Sequence, residues 1–103
     1  MSVVTVTSEN FDKEVMQSTV PVLIDFWAAW CGPCRMLSPV VDEIAEEQND
    51  TKVCKVNVDE QPELARRFGV MSIPTLVVMN NGEIVKKSLG VQPKSSVMSM
   101  LRV

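Results

Sequence analysis

Apolar residues along this chain follow two different spacings, one expected of strands and one expected of helices. Runs rich in β-branched and apolar residues occupy 3–6, 20–28, 52–58, 74–79 and 83–89. The near-continuous run at 20–28 is typical of a central strand that is covered on both faces, because such a strand has no polar side. The pattern therefore predicts a strand in each of these runs.

A helical spacing follows the segment "CGPC". Apolar residues recur there at i, i+3, i+4, i+7 and i+8, which predicts an amphipathic helix. They are Leu37, Val40, Val41, Ile44 and Ala45. The outer face carries Asp42, Glu43, Glu46 and Glu47, and we interpret the three glutamates as a solvated surface. Pro39 lies inside this helix and predicts a kink, because proline cannot donate the intrahelical hydrogen bond.

Two further helices are predicted, one near the N-terminus and one directly after the strand at 52–58. Thr7 or Ser8 can cap a first helix that extends to about Gln17, and its acidic first turn suits the helix dipole. A short helix at 61–69 begins with proline in its first turn and has Gly69 as its expected C-cap. Both helices are flanked by strands, as in an alternating α/β chain.

The C-terminal third predicts a hairpin and a last helix. The Asn-Asn-Gly turn at 80–82 joins the final two strands, a strong signal for an antiparallel pair. A last helix begins near Pro93. The resulting order, β-α-β-α-β-α-β-β-α, predicts an α/β fold with a mixed, mostly parallel sheet of about five strands and about four flanking helices.

Composition and charge narrow the function classes. A chain of 103 residues with 46% hydrophobic content is long enough for one apolar core, so we expect a single domain over 1–103. Ten basic and thirteen acidic residues give a net charge of −3 without a basic cluster, which argues against nucleic acid as a partner. No apolar run reaches the ~20 residues of a membrane-spanning helix. The N-terminal segment lacks a signal-peptide pattern, so we expect a cytoplasmic, reducing compartment.

The two cysteines in "WCGPC" are the strongest candidates for chemistry. The sequence places Cys31 just beyond a central strand and Cys34 one turn into the next helix, where open α/β sheets carry their sites. Unpaired N–H groups and the helix dipole at that point favour the thiolate of Cys31. The spacing brings the Cys34 sulfur within disulfide reach, and Pro33 stiffens the first turn. We expect Cys31 to be accessible and Cys34 to be more buried.

A zinc site is the alternative interpretation of this pair. Structural zinc takes four Cys or His ligands, whereas the chain has no histidine and only one further cysteine, Cys54. Thiol–disulfide exchange needs a thiolate attacker, an accessible sulfur and a second thiol nearby, and this segment supplies all three. The residues therefore favour electron exchange over metal binding.

Several motifs in a fixed order resemble the thioredoxin family. "WCGPC" is preceded by "DFWA" and followed by "KVNVDE", "SIPT" and "NNGE", and the resemblance covers essentially the whole chain. It implies the thioredoxin fold and a dithiol that reduces disulfides of protein substrates. In that mechanism Cys31 forms the mixed disulfide and Cys34 resolves it.

The same resemblance implies how the dithiol is restored. The protein itself binds no cofactor, and electrons come from NADPH through a flavoprotein thioredoxin reductase. Its expected partners are that reductase and disulfide-containing proteins, and we expect a monomer.

Asp25 is an acid inside an otherwise apolar run. Burial disfavours its ionised form, so its pKa is expected to rise unless a cation or a hydrogen bond compensates. Taken alone, the residue fits a structural ion pair as well as a functional role. The resemblance implies that Asp25 lies beneath the active site and assists proton movement at Cys34, with Lys55 as its neighbour on the adjacent strand.

A docking surface beside the cysteines also follows from the resemblance. Pro74 alone predicts a trans bond, since only ~5–6% of X–Pro bonds are cis, but the "SIPT" match implies a cis bond facing the cysteines. The backbone of Ile73 then pairs with an extended substrate segment. The shallow apolar surface comprises Trp30, Gly32, Pro33, Ile73, Pro74, Gly90 and Val91. Gly90 also has a simple turn interpretation.

Two positions depart from the family pattern without touching the chemistry. Cys54 lies in a buried strand where a small apolar residue is usual, and a free cysteine there behaves as a small hydrophobe. Met79 replaces an expected phenylalanine.

Two other function classes stay open: a binding subunit that acts regardless of redox state, and a disulfide oxidase or isomerase.

Overall fold

The structure is a computed structural model that describes residues 2–103, and its elements follow the predicted order. The strands are β1 Val4–Thr5, β2 Val22–Trp27, β3 Lys52–Asn57, β4 Thr75–Asn80 and β5 Glu83–Leu89. The helical segments are a π-helix at Asp12–Met16, α1 at Gly32–Glu47, α2 at Pro62–Arg67 and α3 at Lys94–Met100. Pro39 lies within α1, which continues through it; the kink stays a prediction.

The strands form one mixed sheet in the order β1-β3-β2-β4-β5. β1 and β2 run parallel to β3, whereas β4 runs antiparallel to both β2 and β5. The expected antiparallel hairpin is present, and the β2–β4 pairing adds a second antiparallel contact that the sequence did not specify. β2, the apolar run at the centre, has strands on both sides.

The two faces of the sheet carry separate apolar cores, because side chains alternate along each strand. One core joins the sheet to the π-helix and α2 and contains Phe11, Val15, Ile24, Phe26, Cys54, Leu64 and Phe68. The other joins it to α1 and α3 and contains Leu23, Leu37, Val41, Ile44, Val53, Val97 and Met100. Helices therefore cover both faces, as the apolar run of β2 requires.

The first helix differs from its prediction in both start and type. Residues 8–10 form a turn, and the cap residue of the π-helix is Phe11, which makes no side-chain cap. Thr7 instead accepts a hydrogen bond from the N–H of Glu9 at 3.3 Å, and its own N–H donates to Asn10 Oδ1 at 2.7 Å. These side-chain contacts hold a turn where a helix was expected, because such residues compete for the backbone N–H groups.

The turn chemistry of the hairpin is as predicted. Asn81 has φ of 54° and Gly82 has φ of 77°, the left-handed values that a tight two-residue hairpin turn requires. Gly69 follows α2 with φ of 63°, which matches the expected helix C-cap.

The acidic face of α1 is less simple than a solvated surface. Glu43 and Glu47 both pair with Lys94 at the start of α3, with the Glu43 contact at 2.7 Å, so they tie two helices together. The sequence could not predict this contact because α1 and α3 lie far apart in the chain. No helix in residues 2–103 combines the length and apolar character needed to cross a membrane.

Candidate redox site

Cys31 and Cys34 are joined in a disulfide where β2 leads into α1. Cys31 is the N-cap residue of α1, and its sulfur accepts a hydrogen bond from the N–H of Cys34 at 3.2 Å. Their Cα atoms are 5.2 Å apart. A sulfur anion at this position would meet an otherwise unpaired N–H and the positive end of a 16-residue helix.

The expected difference in burial between the two cysteines is absent in this disulfide form. Cys31 is 4% exposed and Cys34 is 3% exposed, so both are buried. The neighbours that pack around them include Ala28, Trp27 and Ile73. The sequence prediction of an accessible Cys31 is therefore wrong for the oxidised protein, because the loop and its neighbours cover both sulfurs.

Some of the predicted docking residues lie beside the pair, as the contacts of Ile73 and Gly90 show. The Ile73–Pro74 bond is cis, as the resemblance implied, and the carbonyl oxygen of Ile73 lies 3.8 Å from Cys31 Sγ. The N–H of Gly90 donates to the carbonyl of Pro74 at 2.9 Å, which brings the segment at 90–91 beside this bond. Gly90 has φ of 84°, so its turn role is real.

Trp30 is 69% exposed, whereas Trp27 is partly buried and packs against Ala28 and the two cysteines. The indole N–H of Trp30 donates to Asp59 Oδ2 at 2.8 Å. Sequence reasoning missed Asp59, although it lies in the quoted "KVNVDE" motif. It also missed Met71, which is 97% exposed and lines a groove with Trp30 and Ile73.

A cavity of about 340 Å³ lies behind the cysteines. It is lined by Asp25, Trp27, Ala28, Ala29, Cys34, Arg35, Ser38 and Lys55. The structure thus brings Asp25 and Lys55 to one space with Cys34, as predicted. They are register partners on β2 and β3, so their side chains emerge on the α1 side of the sheet.

Asp25 is 1% exposed, and its Oδ1 has no hydrogen-bond partner among residues 2–103. Burial raises the pKa of Asp25 from 3.8 to about 6; the positive charge of Lys55 opposes this rise and the negative charge of Asp42 adds to it. A carboxyl group with a pKa near neutrality can both take and return a proton under physiological conditions.

Lys55 pairs with α1. Its ammonium lies 2.8 Å from Asp42 Oδ1 and donates to Ser38 Oγ at 2.7 Å. The sequence assigned Asp42 to the outer face of the helix and did not single out Ser38. The contacts depend on how α1 lies across β3, which no local pattern predicts.

Arg35 lies next to the cysteine pair, whereas the third cysteine, Cys54, lies away from it. Arg35 donates from Nη1 to the carbonyl of Ala29 at 2.7 Å and so braces the loop before Cys31. Cys54 is buried on the opposite face of the sheet, where burial raises the pKa of its thiol to about 12. Within residues 2–103, no cluster of three or more Cys, Asp or Glu side chains is arranged to hold a metal ion.

Comparison with known proteins agrees with this geometry. The thioredoxin family model matches residues 2–103. A thioredoxin of Pyropia yezoensis is 53% identical over 102 residues, which cover 98% of this chain and 95% of the relative. Thioredoxin 1 of Synechococcus elongatus is 50% identical over 97 residues, which cover 93% of this chain and 91% of the relative.

A solved structure gives the same result for the fold. A mutant thioredoxin from Halobacterium salinarum superposes with a TM-score of 0.89 at 38% identity, covering 97% of this chain and 88% of that one. The fold expected from the motif resemblance is confirmed.

Proposed function

Because this chain belongs to the thioredoxin family, we propose that it reduces protein disulfides with Cys31 as the attacking sulfur and Cys34 as the resolving sulfur. The chain is a thiol–disulfide oxidoreductase with its cysteine pair at the family's CxxC position. The observation that carries the assignment of roles is the hydrogen bond from the Cys34 N–H to Cys31 Sγ at the start of α1. It favours negative charge on Cys31.

The reaction proceeds in two exchanges. The Cys31 thiolate attacks one sulfur of the substrate disulfide, so a Cys31–substrate bond forms and the other substrate sulfur leaves as a thiolate. Cys34, once deprotonated, attacks Cys31 Sγ, so the Cys31–Cys34 bond forms, the mixed disulfide breaks, and the remaining substrate sulfur leaves as a thiolate that takes up a proton. The substrate gains two electrons and two protons, and the dithiol becomes the disulfide seen here.

Asp25 is our candidate for the proton acceptor of Cys34. It lines the same cavity as Cys34, and burial raises its pKa to about 6. Its carboxylate takes the Cys34 proton, directly or through water in the cavity, when the thiol attacks the mixed disulfide. Lys55 sets the electrostatic environment of this carboxylate from the neighbouring strand.

Substrate segments dock beside the sulfurs on the apolar surface described above. The exposed side chains of Trp30 and Val91 supply apolar contact, while Gly32 and the exposed Pro33 follow Cys31 directly in the chain. The backbone of Ile73, adjoining the cis bond to Pro74, is available to pair with an extended segment. Gly90 leaves open space at its Cα, which permits close approach.

The electron supply belongs to this proposal as well. NADPH reduces a flavoprotein thioredoxin reductase, which in turn reduces the Cys31–Cys34 disulfide. The chain acts as a monomer of one domain in the cytoplasm and does not require nucleic acid or a membrane.

The test is NADPH consumption with a thioredoxin reductase and a disulfide-bonded protein substrate. We expect steady NADPH oxidation with the unaltered chain and none with Cys31→Ser or Cys34→Ser. Cys54→Ala is the matched control, since it also removes one thiol but lies on the other face of the sheet. Equal rates with the Cys31→Ser, Cys34→Ser double variant would refute the proposal.

The same variants separate the other function classes. A redox-independent binding subunit keeps full biological activity when both cysteines are replaced by serine. An oxidase differs in its equilibrium with glutathione, because a reductant stays oxidised at potentials where an oxidant has already accepted electrons.

A further inference from the structure

We propose that Asp42 and Ser38 are positioning residues that hold the ammonium group of Lys55 on α1, away from the carboxyl group of Asp25. The importance of this for catalysis rests on the proposed role of Asp25 as proton acceptor. The positional claim itself concerns the cavity and can be measured without any activity.

The contacts of Lys55 carry the first step. Its Nζ lies 2.8 Å from Asp42 Oδ1 and 2.7 Å from Ser38 Oγ, and both partners are side chains of α1. The lysine side chain is 17% exposed, so its charge is largely removed from water and depends on these partners. Charge-assisted hydrogen bonds to a carboxylate and to a hydroxyl group stabilise this position of a partly buried ammonium group.

The second observation behind the proposal is the unpaired carboxyl oxygen of Asp25. Its Oδ1 is buried and makes no hydrogen bond with residues 2–103, although Lys55 stands opposite it in the β2–β3 register. An unpaired carboxyl oxygen beside a lysine is the arrangement in which a direct ion pair would be expected. The pairing of Lys55 with α1 explains why that ion pair is absent.

No other charged group that lines the cavity takes the place of Lys55 as a partner for Asp25. From α1, Cys34 and Arg35 line the cavity, and the guanidinium of Arg35 donates to the carbonyl of Ala29. β4 places the uncharged Leu76 opposite Asp25. Lys55 on β3 and Asp42 on α1 are therefore the two charges that act on Asp25.

Loss of Asp42 should change the ionisation of Asp25 in two ways, because it removes the charge of Asp42 and also frees the charge of Lys55 to move. Without its carboxylate partner, the flexible Lys55 side chain can turn into the cavity and pair with Asp25. The ionised form of Asp25 is then favoured, and the carboxylate becomes a weaker base for the Cys34 proton. Asp42 and Ser38 thus keep Asp25 suited to accept a proton near neutral pH.

The test is a carbon NMR titration of the Asp25 carboxyl group in the disulfide form of Asp42→Asn. We expect proton binding by Asp25 to weaken by about tenfold, the low end of what a close cation produces. Glu43→Gln is the matched control, because it removes the same charge from the next residue of α1, where the partner is Lys94. It should leave the Asp25 titration unchanged. An unchanged titration in Asp42→Asn overturns the proposal.

A second pair of variants separates positioning from the direct effect of the Asp42 charge. In a Lys55→Met background, Asp42→Asn should shift the Asp25 titration much less than it does in the unaltered chain. An equal shift in both backgrounds means that Asp42 acts by its own charge and overturns the positional claim. Ser38→Ala, which removes one contact without changing charge, should shift the titration in the same direction by a smaller amount.

The catalytic consequence has its own readout. The lower limb of the pH profile of substrate reduction should move to lower pH in Asp42→Asn, together with the Asp25 titration. If the titration moves and the pH profile does not, Lys55 is positioned as proposed and Asp25 is not the proton acceptor. That outcome refutes the proposed role of Asp25 and supports the positional claim.

Discussion

A single buried carboxyl group, Asp25, is costly to the fold and is the proton acceptor that we propose for the site. Its neighbours in the apolar run are fully buried, and it lies beside Cys34 in the cavity. Burial raises its pKa because water no longer solvates the charge. The residue is therefore neutral more often than an exposed aspartate, and its ionised form destabilises the folded state.

Asp25→Asn should raise stability at neutral pH and not at acid pH. Between pH 3.8 and about 6 the folded chain keeps a proton that the unfolded chain has released, so the free energy of unfolding falls as pH rises. At 1.36 kcal/mol per pH unit, this loss reaches about 3 kcal/mol above pH 6. Asparagine avoids it.

Urea unfolding of the disulfide forms at about pH 7.5 and about pH 3.5 measures this difference. The gain should appear only at the higher pH. Glu46→Gln, an exposed charge on α1, serves as the control and should behave as the unaltered chain does at both values. A gain of equal size at both values would mean that the titration of Asp25 is not its cause.

Cys54 should be inert in the folded protein. It is fully buried, and burial raises the pKa of its thiol to about 12, so almost none of it is the reactive thiolate at neutral pH. After reduction and brief treatment with iodoacetamide, mass analysis should find the label on Cys31, whose thiolate is favoured at the start of α1. Cys54 should react only in denaturant, and rapid labelling of it in the native state would contradict its burial.

At the scale of elements, α1 links the core to the chemistry. Its N-terminus presents the N–H groups to Cys31, and its apolar face packs on the sheet through Leu37, Val41 and Ile44. Ile44 is completely buried, so Ile44→Ala leaves a cavity. We expect a loss of about 2–5 kcal/mol in the free energy of unfolding.

Urea unfolding compares this variant with Glu46→Ala, which truncates an exposed side chain of the same helix. The surface variant should change stability by less than about 0.5 kcal/mol. Similar effects from the two variants would argue against the close packing of α1 on the sheet.

The sequence predicted the secondary-structure elements whose positions follow from the pattern of buried apolar side chains. The strand runs and the apolar face of α1 follow from side-chain periodicity, and the hairpin follows from Asn81 and Gly82. The π-helix was mispredicted because hydrogen bonds among Thr7, Glu9 and Asn10 hold a turn there. The cis bond at Pro74 came from the motif resemblance and not from local chemistry, since an isolated X–Pro bond favours trans.

At the scale of the whole molecule, the sheet brings distant segments to one end of β2. The cysteine loop, the segment at 73–74 and the segment at 90–91 meet there, and the cavity behind them connects β2, β3 and α1. The motifs predicted that Asp25, Lys55 and Cys34 lie together, but not the contacts of Lys55 with Ser38 and Asp42, because those contacts depend on tertiary packing. Motifs therefore predict where the candidate groups lie better than they predict the tertiary contacts of those groups.

Intact mass analysis of trapped mixed disulfides tests the central claim most directly. Reduced Cys34→Ser should form a stable covalent adduct with a disulfide-bonded protein substrate, because Cys31 attacks and nothing resolves the bond. Peptide mapping should place the adduct on Cys31, and Cys31→Ser should form far less of it. An adduct that forms equally well in Cys31→Ser, or in neither variant, would contradict the account.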